Sequence, residues 1–181
     1  DFANLMQKVA HGKAQAAELA AYVAHPRLQY APDTYRMRFT SNHDFNSWQG
    51  SDPELYGAGF KAFAVLAATL PDMPLIYGGQ EASLNKRLEF FKRDPIDWRG
   101  ASLGDFYTEL LRLKTDNKAL WNGTAGGTLN LLATGNRDVI AYDRVRGSNR
   151  VRVIANLSPR SAGFTIAGRP GTLAAWDYAI T

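Results

Sequence analysis

Two short apolar runs with polar residues at their ends constrain the fold more than any other feature of the sequence. The first run covers residues 35–40, alternates in polarity and stops at the polar triplet of residues 42–44. The second covers residues 74–77, is continuously apolar and leads into Gly78-Gly79-Gln80-Glu81. Such runs are typical of strands in an α/β sheet, where ligands gather at the carboxyl ends of parallel strands. We therefore predict a β-α-β unit whose two polar tips lie on one side.

Three helices are predicted around these strands. The segment between the runs predicts a helix over residues 56–70, and its apolar residues lie on nearly every face, so we expect it to be well buried. Residues 2–24 show an apolar stripe at helical spacing, which Gly12 interrupts, so that one helix or two shorter ones fit the pattern. Residues 103–115 predict an amphipathic helix. The long irregular segment before it, residues 78–100, is of a kind that is usually functional.

The pattern changes near residues 121–123, where Gly, Thr and Asn begin to separate short β-type runs. Gly147-Ser148-Asn149 predicts a hairpin turn between two of them. The runs cover residues 128–132, 139–144, 150–156, 163–166 and 173–180. They predict a small all-β sandwich of five or more strands. We therefore expect an α/β domain over residues 1–121 and a β domain over residues 122–181.

Composition narrows the classes of protein that fit. The hydrophobic share of 45% in 181 residues is ordinary for a globular protein, and no apolar run reaches the roughly 18 residues that a membrane span needs. The absence of cysteine excludes disulfides and thiolate metal sites. The basic residues behind the net charge of +4 are mostly scattered, so we predict neither nucleic-acid nor membrane binding.

One group of basic residues is not scattered. Four arginines fall on the predicted hairpin: Arg144, Arg146, Arg150 and Arg152. We interpret them as a solvated hairpin edge protected by charge, with a phosphate-binding face as the alternative.

Several of these stretches together resemble the carboxyl-terminal part of an alpha-amylase-family glycoside hydrolase. In chain order they are Asn42-His43-Asp44 after a strand, residues 74–81, the stretch Asp94-Pro95-Ile96-Asp97-Trp98, a helix that ends in residues 114–121, and the β tail. The resemblance implies an incomplete (β/α)8 barrel followed by a β-sandwich, which the family calls domain C. Strand seven would then end at the Asn-His-Asp triplet, and strand eight would carry residues 74–77.

The resemblance also assigns roles to the triplet. Asp44 matches the family's third catalytic carboxylate, which is neither nucleophile nor acid but hydrogen-bonds the sugar in the cleaved subsite. His43 matches the histidine that binds the same sugar. Asn42 is placed in the substrate-binding set, with support of the turn as its main expected contribution. The alternative for all three residues is a polar turn at a strand end, with a helix-capping Asp.

Three further residues lie in or next to the stretches that carry the resemblance. Glu81 matches a family position that is mainly structural, so we leave it out of the catalytic set. Phe45 stands where relatives often carry Glu, a departure that changes the neighbourhood of the pocket. Trp48 is expected either to stack on a sugar face or to be buried under the loop.

The family's other two carboxylates have no match in this sequence. The nucleophile lies in a Gly-x-Arg-x-Asp stretch on strand four and the acid Glu ends strand five, and neither stretch is present. A complete barrel needs about 250 residues, and only two barrel strands are counted here. The sequence also begins with Asp1 rather than Met. We therefore expect a piece of a longer enzyme that is inactive by itself.

The expected partners follow from the resemblance. They are an α-glucan or maltooligosaccharide substrate, which the parent enzyme would cleave with retention, and the missing amino-terminal barrel segment. No cofactor or metal ion is expected in this chain; the calcium that is common in the family is usually bound by other segments. A secreted or periplasmic location is favoured by the resemblance. The alternative function is a non-catalytic module that binds α-glucans or assists assembly.

Two parallel strands with one apolar helix between them cannot cover both faces of a sheet. We therefore expect the purified chain to expose apolar surface and to form dimers through it. Size-exclusion chromatography with light scattering measures the mass, and an apolar dye reports the exposed surface. A monomer that binds no dye would contradict this expectation.

Overall fold

The computed structural model describes residues 2–25, 34–99 and 102–181. The helical stripe at the amino terminus forms two helices, α1 (Phe2–Ala10) and α2 (Ala16–Ala24), so the two-helix interpretation is confirmed. Gly12 lies between them with a φ of +68°, a conformation that ends α1 and that glycine adopts without strain. The loop that Pro26 and Pro32 indicate lies outside the described residues.

The β-α-β unit is present. Strands β1 (Met37–Arg38) and β2 (Met73–Pro74) pair in parallel, with Met37 opposite Met73, so both strands end on the same side. Each strand is only two residues long. Strand β1 lies within the predicted run of residues 35–40, whereas β2 shares only Pro74 with the predicted run of residues 74–77. Among the described residues no third strand joins this pair.

The segment between the two strands is helical but not continuous. A π-helical turn (Phe45–Gln49) leads to α3 (Asp52–Tyr56), a 3-10 turn (Gly57–Gly59) and α4 (Phe60–Thr69). The single helix predicted over residues 56–70 is therefore confirmed only over α4, where every residue from 62 to 69 is buried. A fifth helix, α5 (Gly104–Asp116), agrees with the predicted amphipathic helix to within one residue at each end.

The carboxyl-terminal part consists of antiparallel strands. A four-stranded sheet has the order β3-β4-β5-β8, and a two-stranded sheet pairs β6 with β7. The strands are β3 (Thr128–Leu131), β4 (Val139–Arg146), β5 (Asn149–Asn156), β6 (Ala162–Ile166), β7 (Arg169–Leu173) and β8 (Tyr178–Ile180). The turn between β4 and β5 begins at Gly147, whose φ of +59° suits a hairpin.

One predicted strand is wrong. The run over residues 173–180 divides into the end of β7 and the whole of β8, because a turn at residues 175–176 separates them. Trp176 takes a φ of +58° in this turn and packs its ring on Phe63 of α4, with the centroids 6.2 Å apart. Tertiary packing therefore stabilises this turn, which contains no Gly or Pro residue from which it could be predicted.

The interpretation of the hairpin arginines is also wrong for Arg144. This residue is only 1% exposed, and its guanidinium donates hydrogen bonds to the carbonyl oxygens of Thr69 at 2.8 Å and Gly127 at 3.2 Å. Arg152 lies on the neighbouring strand and makes a two-pronged ion pair with Asp143, at 2.7 and 2.8 Å. Arg144 and Arg152 therefore serve the fold rather than a phosphate site or a solvated edge. Arg146 is exposed, and it also donates hydrogen bonds to the backbone oxygens of Thr124 and Gly126.

The helical and β parts share one apolar core. Buried residues of α1, α2 and α4 and of strands β4 and β5 form a single cluster. A buried hydrogen bond joins the parts as well, since the hydroxyl groups of Thr69 and Tyr142 lie 2.6 Å apart. Burial lowers the pKa of Arg144. Its guanidinium N–H groups still donate the hydrogen bond to Thr69 that joins the helical and β parts. Across the described parts of the chain, no helix is long and apolar enough to cross a membrane.

We expect Arg144→Ala to lower the free energy of unfolding by about 3 kcal/mol or more, because buried carbonyl oxygens lose their donors and a cavity is left. Urea denaturation followed by circular dichroism measures this change. Arg150→Ala is the matched control, since Arg150 is exposed on the same hairpin and should cost less than about 0.5 kcal/mol. Equal losses in the two variants would contradict the assigned role of Arg144.

Candidate functional site

The polar triplet lies directly after β1, where the chain begins a helical turn. The side-chain oxygen of Asn42 accepts a hydrogen bond from the backbone N–H of Phe45 at 2.8 Å, and its backbone oxygen accepts one from Asn46 at 2.9 Å. Asn42 therefore caps this turn, as an Asn before a helix commonly does. The support of the turn that was expected of Asn42 is present, whereas its contact with substrate stays a prediction.

The other two residues of the triplet point their polar groups to the surface. The side chains of His43 and Asp44 are 64% and 59% exposed, and Nε2 of His43 lies 3.7 Å from Oδ2 of Asp44. This separation is too long for a strong hydrogen bond, so both groups keep their capacity to bind a ligand. The helix-capping role that the residues alone allowed for Asp44 has no support here, since Asn42 makes the cap.

The tips of the two strands are joined beneath this surface by Gln80. Its side-chain nitrogen donates to the hydroxyl of Thr40 at 2.7 Å, and its side-chain oxygen accepts from the backbone N–H of Tyr77 at 2.7 Å. Thr40 is two residues before the triplet, and Tyr77 follows β2. A single buried amide therefore sets the distance between the two tips. The carboxylate of Glu81 accepts from the N–H of Gly79 at 3.0 Å, which agrees with the structural role expected of it.

Asp52 lies next to Gln80 in the same buried layer. It is 7% exposed, and one carboxylate oxygen accepts a hydrogen bond from the Gln80 side chain. The other oxygen finds no partner within the described residues. Burial raises the pKa of Asp52 to about 6, against the hydrogen bonds from Gln80 and Thr40, which lower it. The burial of Asp52 was not predicted, because its sequence context is that of an ordinary acidic residue in the first turn of a helix.

The irregular segment that follows Gln80 is held against this surface by charged pairs. Arg87 makes two hydrogen bonds of 3.0 Å to Glu54 of α3, and Lys86 pairs with Asp94 within the segment. The hydrogen bonds from Arg87 and from the Ser51 backbone lower the pKa of Glu54 to about 2. The hydrogen bond from Lys86 is the main cause that lowers the pKa of Asp94. Carboxylates held so firmly as anions are unsuited to act as proton donors near neutral pH.

Exposed aromatic rings lie beside the triplet. Trp48 is 62% exposed, so its expected burial under the loop is wrong, and the sugar-stacking alternative stays a prediction. Phe90 and Phe91, from the irregular segment, are 39% and 85% exposed. The sequence analysis missed this pair, although two adjacent aromatic residues in a polar segment were a usable signal. In contrast, Phe45 is buried and packs edge-on against Phe39, with the centroids 5.3 Å apart.

Within residues 2–25, 34–99 and 102–181, no group of three or more His, Asp or Glu side chains is arranged to hold a metal ion.

Sequence comparison finds relatives whose names describe enzymes of α-glucans. The chain is 34% identical over 116 residues to alpha-1,4-glucan:maltose-1-phosphate maltosyltransferase 1 of Streptomyces coelicolor, which covers 56% of this chain and 17% of that protein. It is 24% identical over 148 residues to alpha-amylase 2 of Dictyoglomus thermophilum, covering 74% and 24%. The chain thus spans a quarter or less of these relatives. No protein-family model matches.

Solved structures share the fold over almost the whole chain. The cyclic alpha-maltosyl-(1→6)-maltose hydrolase of Arthrobacter globiformis superposes with a TM-score of 0.77 at 18% identity, over 99% of this chain and 43% of that one. An alpha-amylase from Lactobacillus plantarum gives a TM-score of 0.77 at 14% identity, over 99% and 45%. The resemblance to the carboxyl-terminal portion of alpha-amylase-family proteins is therefore confirmed.

The buried carboxyl of Asp52 predicts a specific pH dependence of stability. Its pKa rises from an ordinary value near 3.8 to about 6 on folding, so the folded state favours the protonated form. This contribution is complete below about pH 4 and is lost as the pH rises through 6. Between pH 4 and pH 7 we expect Asp52→Asn to gain up to about 3 kcal/mol in unfolding free energy relative to the unaltered chain.

Urea denaturation at several pH values tests this expectation. Asp116→Asn is the control, because Asp116 is exposed at the end of α5 and its replacement should leave the pH dependence of the unaltered chain in place. Parallel stability curves for Asp52→Asn and the unaltered chain would show that Asp52 does not titrate in this way.

Proposed function

We propose that the chain is the carboxyl-terminal part of an alpha-amylase-family glycoside hydrolase that cleaves α-glucosidic bonds of starch and maltooligosaccharides with retention. In this assignment β1 and β2 are strands seven and eight of the barrel, and residues 122–181 are domain C. The observation that carries the proposal is the parallel β1–β2 pair with the exposed His43 and Asp44 at its carboxyl end. Active sites of such barrels lie at that end of the strands.

Asp44 is the proposed catalytic residue of this chain. An exposed carboxylate can accept hydrogen bonds from the sugar hydroxyl groups in the cleaved subsite. Such bonds strengthen as positive charge develops on the sugar ring, so the carboxylate stabilises the oxocarbenium-like transition state more than the ground state. His43 donates a hydrogen bond to the same sugar, and Asn42 fixes the turn that presents both residues.

Catalysis also needs a nucleophile and an acid, and we propose that both lie in a barrel segment that this chain does not contain. Two observations support this. The carboxylates of Glu54 and Asp94 are paired with Arg87 and Lys86 and have lowered pKa values. Asp52 has a raised pKa, but it is buried beneath the surface that carries the triplet. The β1–β2 pair gains no further strand from the described residues. The missing segment would complete the sheet, and the isolated chain would be inactive.

The substrate class rests on the names of the similar proteins, which contain an α-1,4-glucan, maltose-1-phosphate, a cyclic maltosyl-maltose or maltose. The choice between hydrolysis and transfer of a glycosyl group depends on loops of the missing strands, so we propose hydrolysis by family resemblance. A secreted or periplasmic location is proposed on the same basis.

The test combines activity and binding on the purified chain. We expect no release of reducing sugar from maltoheptaose, but weak binding by isothermal titration calorimetry that Asp44→Asn lowers about tenfold, the scale of one charge-assisted hydrogen bond. Asp97→Asn is the matched control, since the Asp97 side chain is 62% exposed and, among the described residues, forms its ion pair with Arg99 alone. Its effect should be less than twofold.

Two outcomes would contradict the proposal. Turnover that disappears in Asp44→Asn would show that the chain holds its own nucleophile and acid. Binding that Asp44→Asn and Asp97→Asn change equally would remove Asp44 from the site.

A further inference from the structure

We propose that Trp48, Phe90 and Phe91 form a stacking platform that binds glucose units of an α-glucan beyond the unit held by His43 and Asp44. This inference rests on the proposed function and extends its site. It assigns a binding role to two phenylalanines of the irregular segment and commits to a linear α-linked oligosaccharide as the ligand.

The three rings form one continuous surface that begins at the triplet. The ring of Phe90 lies 5.5 Å from that of His43, 5.7 Å from that of Trp48 and 4.8 Å from that of Phe91, measured between centroids. The Trp48 and Phe91 rings are 6.5 Å apart. Phe90 therefore connects the sugar-binding histidine to the two most exposed rings. An oligosaccharide bound at His43 therefore has an aromatic surface next to it.

The platform is held in place from below by Asn46. This residue is 3% exposed, and its side chain donates to the backbone oxygen of Lys86 at 3.0 Å and accepts from the N–H of Leu88 at 2.8 Å. Asn46 belongs to the turn that carries Trp48, whereas Lys86 and Leu88 belong to the segment that carries the phenylalanines. One buried amide thus fixes the rings of the two segments relative to each other.

Folding alone does not account for this arrangement. Large apolar side chains stabilise a protein by leaving water, and Phe91 remains 85% exposed although its segment is anchored by buried hydrogen bonds. A rigidly presented group of exposed rings is the usual mark of a binding surface. Preorganisation of this kind also reduces the entropy that a bound ligand must overcome.

The surroundings of the rings favour a neutral polyhydroxyl ligand. The flat C–H faces of a glucose unit match aromatic faces, while its hydroxyl groups need polar partners at the edge. Lys92 and Glu89 form an ion pair beside the phenylalanines, and Lys86 and Asp94 form another. Both pairs are neutral, and Arg93 adds one exposed cation. A polyanion such as a nucleic acid would need a larger excess of basic groups.

The experiment measures binding of maltose and maltoheptaose to the purified chain by isothermal titration calorimetry. Phe91→Ala and Trp48→Ala should each lower the affinity for maltoheptaose about five- to tenfold. This is the effect expected from losing the apolar area that one sugar face covers. Maltose binding should change less than twofold if this short ligand is held by the triplet. Trp48→Phe keeps an aromatic face and should restore most of the affinity.

Trp98→Ala is the matched control. Trp98 is 58% exposed on the same irregular segment and makes no ring contact with the platform. Its replacement should leave both affinities unchanged. An equal loss in Trp98→Ala and Phe91→Ala, or unaltered maltoheptaose binding in both platform variants, would overturn the proposal.

Other outcomes separate the platform from the proposed function. If Asp44→Asn weakens binding and Phe91→Ala does not, the platform is wrong and the Asp44 assignment stands. If Phe91→Ala acts and Asp44→Asn does not, the platform stands and the role of Asp44 is wrong. Conversion of a dimer to a monomer by Phe91→Ala, with no effect on the sugar, would assign the surface to self-association and overturn the platform.

Discussion

The buried guanidinium of Arg144 is the interaction on which the arrangement of the two parts depends. It reaches from strand β4 to the backbone oxygen of Thr69, the last residue of α4, and to that of Gly127 in the connecting segment. A β-carbon at Gly127 would lie 2.5 Å from the backbone oxygen of Val145, so only glycine allows this close approach. Since α4 also connects β1 to β2, Arg144 restrains the helix on which the spacing of both strands rests.

A second buried polar group, the amide of Gln80, restrains the ends of the two strands beneath the surface. It links Thr40 before the triplet to Tyr77 after β2, and it also contacts the carboxyl of Asp52. His43 and Asp44 themselves are exposed and have few contacts, so their geometry depends on supports of this kind. Placing functional groups on a rigid buried layer keeps them within the small tolerances that catalysis or binding requires.

Helices and strands with a buried face were predictable, because burial of one face imposes a hydrophobic periodicity on the sequence. Helix α5 and the parallel β1–β2 pair follow from the pattern of apolar residues alone. The burial of Arg144 could not be predicted, since its partners are backbone oxygens that leave no mark in the sequence. For the candidate site, the triplet was recognisable from its residues. Phe90 and Phe91 were visible only as adjacent aromatic residues, because an irregular segment has no period that tells whether a side chain is exposed.

The hydrogen bonds of Arg144 have a consequence for recombination of the two parts. A β part joined to a different helical part would bring a buried cation whose acceptors, including the Thr69 carbonyl, belong to the helical part that it left. It would also bring the Tyr142 hydroxyl, which meets the Thr69 side chain. The two parts are therefore exchangeable only together with the end of α4, so the natural unit of transfer is larger than the β part itself.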